Sequence, residues 1–132
     1  MTFTLKSGKA AVHQIGNEIE NCFFDGGEYG ILTHRTSAGW QSLLKNCVFY
    51  NQIKSAVRTK EAGMTLVGCQ FDNVPHAVEI EPHSYEELFV SDCVLRDIHK
   101  AAFVIAKGHD LRNQINMEQV ACINVPQFCI IR

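Results

Sequence analysis

Leu66-Val67-Gly68-Cys69-Gln70-Phe71 repeats the pattern of Leu44-Lys45-Asn46-Cys47-Val48-Phe49 twenty-two residues later. In both, an apolar residue stands three places before a cysteine and a phenylalanine two places after it. Residues on one face of a strand recur every second position, so a separation of three requires one irregular residue. Asn46 and Gly68, directly before the cysteines, are types that tolerate a left-handed backbone. A sharp bend at that residue lets the apolar positions on both sides face inward.

The pattern extends in both directions. Ile19, Cys22 and Phe24 surround Asn21, and Val90, Cys93 and Leu95 surround Asp92. A fifth copy, aligned on Cys122, departs from it, with Gln119, Ala121 and Asn124 at the corresponding places. The first five cysteines are spaced by 25, 22, 24 and 29 residues, and Cys129 follows. No two cysteines stand in a CxxC pair and none clusters with histidine at zinc-finger spacing. The spacing is a structural period, and the cysteines are expected to form an internal column of small, buried, reduced thiols.

A second apolar strand follows each copy, at 29–35, 55–61, 76–82, 101–107 and 127–132. Alternation gives inward pairs Ile31/Thr33, Val57/Thr59, Val78/Ile80, Phe103/Ile105 and Cys129/Ile131. Short turns separate the strands at Asp25–Gly27, Tyr50–Gln52, Asp72–Pro75 and Val125–Pro126. No segment carries a sustained helical stripe. A period between 20 and 50 residues marks a solenoid, here an all-β, single-stranded parallel β-helix of about five coils with rungs about 4.8 Å apart. Residues 1–132 read as one domain, either whole or a piece of a longer solenoid. Residues 1–16 read as a partial leading coil with Phe3, Leu5, Val12 and Ile15 at its apolar positions.

The chain of 132 residues is 46% hydrophobic and carries a formal charge of −2. That charge excludes a globally basic nucleic-acid binder, and no apolar run is long enough to cross a bilayer as a helix. The first residues lack the continuous apolar stretch of a secretory signal. A chain complete as it stands is therefore expected in the cytoplasm, and a piece of a secreted solenoid has its signal elsewhere. No Gly-rich phosphate loop and no metal-ligand motif is present, so no cofactor and no metal is expected.

The motifs IENCFFDGGEYGI (19–31), LLKNCVFYNQIKSAV (43–57), LVGCQFDNVPHAVEI (66–80) and VSDCVLRDIHKAAFV (90–104) resemble the pectate-lyase-like right-handed parallel β-helix superfamily of carbohydrate-active proteins. The resemblance covers about residues 17–132. It implies right-handed winding, a polysaccharide or oligosaccharide partner, and an active groove along the outward face of the long strands and their loops. The polygalacturonase elements and the calcium-ligating aspartates of pectate lyases are absent. Lys107-Gly108-His109-Asp110 resembles a Gly-His-Gly element but lacks its second glycine.

Alternation names the residues on that face. One outward column is Leu32, Arg58, Glu79, Val104 and Ile130, and the next is His34, Lys60, Glu81, Ala106 and Arg132. Glu79 and Glu81 are separated by roughly 6.5–7 Å of strand, a spacing that suits acid and base in glycoside hydrolysis. A lyase would use Lys60 or Arg58 as base. The same charges also suit a cross-strand ion-pair ladder that keeps a sheet face soluble. His34 on the outward column, with Trp40, His83, Tyr85 and His109 from the loops after the long strands, are the substrate-binding candidates. The competing expectation is a non-catalytic structural or adhesive scaffold that forms homo-oligomers through its open solenoid ends.

Overall fold

The computed structural model describes residues 2–5, 10–13, 18–33, 41–59, 63–80, 88–106 and 115–131, with side chains for most positions from Glu18 onward. The regular structure among them is entirely strand, numbered here in chain order. The first sheet stacks β1 (Thr2–Leu5), β4 (Phe23–Gly26), β7 (Val48–Tyr50), β10 (Gln70–Val74), β13 (Val94–Ile98) and β16 (Ala121–Ile123). The second stacks β2 (Ala10–His13), β5 (Tyr29–Thr33), β8 (Ser55–Thr59), β11 (Val78–Ile80), β14 (Ala101–Ile105) and β17 (Gln127–Ile131). The third stacks β3 (Glu18–Glu20), β6 (Gln41–Lys45), β9 (Gly63–Val67), β12 (Leu88–Ser91) and β15 (Ile115–Glu118). Each strand pairs in parallel with its equivalents in the adjacent turns, as Phe71 does with Phe49 and Leu95. The protein is an all-β parallel β-solenoid with three parallel sheets. Its sealed core, from Cys22 to Val104, spans about three turns.

The bend between the third and first sheets is a column of left-handed residues. Asn21, Asn46, Gly68, Asp92 and Gln119 have φ of 55°, 53°, 64°, 54° and 52°. At Gly68 an added Cβ would meet the Asn46 side-chain oxygen of the turn below, so a larger residue there needs both a left-handed backbone and a shift of Asn46. Behind the bend, Cys22, Cys47, Cys69 and Cys93 are buried. Cys69 Sγ donates to Leu44 O at 3.4 Å and Val67 O at 3.7 Å, and Cys47 and Cys93 repeat this pair of contacts. A thiol thus fills the corner and shares carbonyls that also accept backbone N–H groups of the neighbouring turn, as Val67 O does from Asn46 N at 2.9 Å. Hydrogen bonding to Cys47 and Cys93, reinforced by burial, pushes the Cys69 thiol well above the usual range.

The fifth copy is corrected by the register. β13 pairs with β16 so that Leu95 faces Cys122, and β12 pairs with β15 so that Val90 faces Met117. Val120 therefore fills the thiol position, Gln119 makes the bend, and Cys122 continues the column of Phe24, Phe49, Phe71 and Leu95. The apparent exceptions at Gln119, Ala121 and Asn124 arise from aligning on the wrong residue. Cys122 and Cys129 are exposed, unlike the four buried thiols. The phenylalanines stack face to face, with centroids 4.8 Å apart from Phe24 to Phe49 and 5.1 Å from Phe49 to Phe71. In the first turn, Phe3 faces Phe24 and Val12 faces Ile31, while Ile15 lies outside the described residues.

The corner between the first and second sheets holds a second left-handed column: Gly26, Asn51, Asn73, Asp97 and Asn124. Its side chains link successive turns, with Asn51 Nδ2 donating to Asp25 Oδ1 at 3.1 Å and Asn73 Nδ2 to Asn51 Oδ1 at 2.6 Å. Asn124 Nδ2 donates likewise to Asp97 Oδ1 at 2.8 Å. Buried Gln52 caps two carbonyls, Phe24 O and Gly26 O.

A further irregularity lies inside the second sheet, where simple alternation fails. Ile31, Val57, Val78 and Phe103 belong to the core, and so do Ala56, Ala77 and Ala102 immediately before them. Gly30 occupies the same place, and a Cβ there would come within 2.7 Å of Phe49 Cδ1. Two consecutive inward positions require a kink, and only the smallest side chains fit inside it. The residues before the kink, Tyr29, Ser55 and His76, are thereby turned out of the core.

Candidate functional site

The kink creates the candidate site. Outward residues of β5, β8 and β11 meet diagonally: a residue before the kink in one turn reaches the outward residue three places further along in the next. Tyr29 accepts a hydrogen bond from Arg58 Nη1 at 2.8 Å, and Ser55 Oγ donates to Glu79 Oε1 at 2.5 Å. Arg58 Nε lies 3.9 Å from Glu79 Oε2, as the register Arg58↔Glu79 dictates. Ser55 is fully buried, and the Glu79 side chain is 17% exposed. Glu79 is therefore a held carboxylate in a recess, with one oxygen on a hydroxyl and the other facing a guanidinium.

An open cleft of about 180 Å³ lies beside this pair, lined by Tyr29, Ile53, Lys54, Pro75, His76, Glu79 and Lys100. Tyr29 forms part of its wall and is covered on its face by cations. Arg58 Cζ is 5.6 Å and Lys54 Nζ 5.9 Å from the ring centroid. Since Tyr29 is also almost fully buried, its ring is not a bare stacking platform for sugar. His76 Nδ1 lies 2.6 Å from Ala101 O. A carbonyl only accepts, so Nδ1 carries the proton and Nε2 is the acceptor of the neutral ring.

Of the residues singled out by sequence, Arg58 and Glu79 are brought together here. Glu81, Lys60, His34, Trp40, His83, Tyr85 and His109 lie outside the described residues. Tyr29, Ser55 and His76 went unrecognised, because period-two alternation assigns them inward with Ile31, Val57 and Val78. The signal available was a polar residue opening three successive long strands. Among the described residues no group of three or more metal-ligating side chains converges, and no helix is long and apolar enough to cross a membrane.

A second, more apolar groove of about 300 Å³ lies on the third sheet, lined by Phe89, Val90, Ser91, Asn116 and Glu118. Compared with known protein families, with curated proteins and with solved structures, the chain gives no significant match.

Proposed function

We propose that the protein is a carbohydrate-active β-helix module of the pectate-lyase-like kind, wound right-handed in about five coils behind a partial leading coil. In this reading a polysaccharide lies along the outward face of the second sheet. The observation that carries it is the cleft beside Glu79, where a recessed carboxylate, an imidazole and two lysines face one open space. Pockets of this kind, with few convergent polar groups, are the usual form of a ligand site. In a glycoside hydrolase, Glu79 would act with Glu81 as the carboxyl pair. In a polysaccharide lyase, Arg58 or Lys60 would take the proton. Trp40, His34, His83, Tyr85 and His109 would then contact the chain from the loops. The test is a screen of acidic and neutral polysaccharides against the wild type, Glu79→Gln and Glu81→Gln. Turnover or binding should be lost in at least one variant, and unchanged behaviour in both would remove this centre.

A specific observation also favours a scaffold role. Phe128 and Ile131 in the last turn, level with core Ala102 and with Ile105, are exposed, at 43% and 69%. Stacking of this turn on the first turn of another copy would cover them and continue the three sheets. Light scattering over a hundredfold concentration range should then show concentration-dependent oligomers, and a uniform monomer would exclude this reading.

A further inference from the structure

We infer that the cleft takes a neutral sugar through its hydroxyl groups, one donating to His76 Nε2 and another to Glu79 Oε2. The inference rests on the polysaccharide reading of this cleft and names the substrate class as neutral, not uronic. Its basis is a pair of hydrogen-bond acceptors that line one open space and lack a donor. His76 is only 4% exposed, and its Nδ1 donates to Ala101 O at 2.6 Å. Nε2 of the neutral ring is then a bare acceptor. It makes no hydrogen bond among the described residues and stays accessible at the cleft wall. Glu79 Oε1 is taken by the Ser55 hydroxyl, whereas Oε2 has Arg58 Nε at 3.9 Å, beyond hydrogen-bond distance. Ala77 and Val78, between the two acceptors in sequence, both point into the core. The kink therefore turns His76 and Glu79 to the same outward face.

The groups around the cleft decide what can supply the missing donors. A carboxylate or sulfate only accepts, so it would face two acceptors, one of them charged. An ammonium group would donate to both, but it would enter beside Lys54 and Lys100, which line the same cleft. A hydroxyl donates to the acceptors and, through its own oxygen, accepts from a lysine ammonium. A polyol is thus the neutral ligand that answers both kinds of partner. The remaining wall is apolar: Ile53, 65% exposed, and Pro75 border the cleft. They offer a surface for the C–H face of a sugar ring, as apolar lining does around the polar groups of a ligand site. A neutral ligand also favours the hydrolase form of the reading, because a lyase needs a uronate carboxylate beside the proton it removes.

The experiment is an NMR titration of the full chain, labelled in its histidine ring nitrogens, at a pH above the ordinary imidazole range. The probes are neutral trisaccharides of glucose, galactose, mannose and xylose, with trigalacturonate as the acidic counterpart. At least one neutral trisaccharide should bind saturably and move His76 Nε2 toward the range of a protonated nitrogen, while Nδ1 stays in place. His76→Phe keeps a ring of similar size without the acceptor and should weaken that binding at least about fivefold, with Glu79→Gln weakening it several-fold. The Nε2 shift is read on the wild type, so the test stands even where His76→Phe fails to fold. Saturable binding with Nε2 unmoved would overturn the inference, as would unchanged affinity in a folded His76→Phe. Trigalacturonate bound in preference to every neutral trisaccharide would overturn it while leaving the polysaccharide reading in place. Binding of neither kind would remove both.

Discussion

The middle turns and the last turn carry the same kinds of side chain at equivalent positions, and their fates differ completely. Phe49 and Phe71 are buried, but Cys122, which continues their column, is exposed. Val57, Val78 and Phe103 lie in the core, whereas Cys129, their equivalent in the last turn, is exposed. Cysteine itself does not account for the exposure, since Cys47, Cys69 and Cys93 are buried in the middle turns. The middle turns have neighbours on both sides, whereas the described part of the last turn has one below it. Burial in this solenoid is a property of stacking, supplied by adjacent turns and not by any turn alone.

The largest effect expected from this contrast is on stability. Phe49→Ala removes the centre of a three-ring stack and should cost roughly 3–5 kcal/mol, measured by urea unfolding. Phe128→Ala in the last turn should cost under about 1 kcal/mol, and equal losses would break the comparison. Next comes Gly68→Ala, which places a Cβ at positive φ against Asn46. It should cost more than about 1 kcal/mol, with partial recovery when Asn46→Gly is added to open the space.

Thiol labelling gives a contrast with little dependence on mutation. In the native protein Cys122 and Cys129 should react with a disulfide reagent, while Cys47 and Cys69 react only after unfolding. Burial raises both exposed thiols above the ordinary value. The thiolate is the reactive form, so their labelling near neutral pH should lag a free cysteine and rise about tenfold per pH unit. Fast labelling of four or more thiols in the folded state would contradict the sealed column. The smallest effect is expected at the half-buried Arg58–Glu79 pair, whose nitrogen and oxygen stand 3.9 Å apart. A double-mutant cycle on Arg58 and Glu79 should give a coupling below about 1 kcal/mol in stability, even where ligand binding is abolished.

The repeat was legible because its physics is local. The apolar spacing of three and the Asn, Gly or Asp before the first four cysteines announced the first bend, and the register of Arg58 with Glu79 followed from counting. Two features were not legible. Cys122 attracted the alignment because it is a cysteine, although Val120 meets the packing requirement at that corner. The kink at Gly30, Ala56, Ala77 and Ala102 is marked only by small residues, which sequence uses in many places for other reasons. Missing it hid Tyr29 and His76 in the cleft wall and Ser55 behind Glu79.

The parallel pairing of equivalent strands has a mechanical consequence. The hydrogen bonds between turns lie along the solenoid axis, so tension applied along that axis does not load them together. Each turn is held by its neighbour, and the outermost one yields first, as the last tooth of a zipper does. Force applied across the axis meets whole sheets in shear. The same chain should therefore be compliant when drawn out lengthwise and stiff when gripped from its sides, a directional strength that the repeat acquires simply by stacking in one sense.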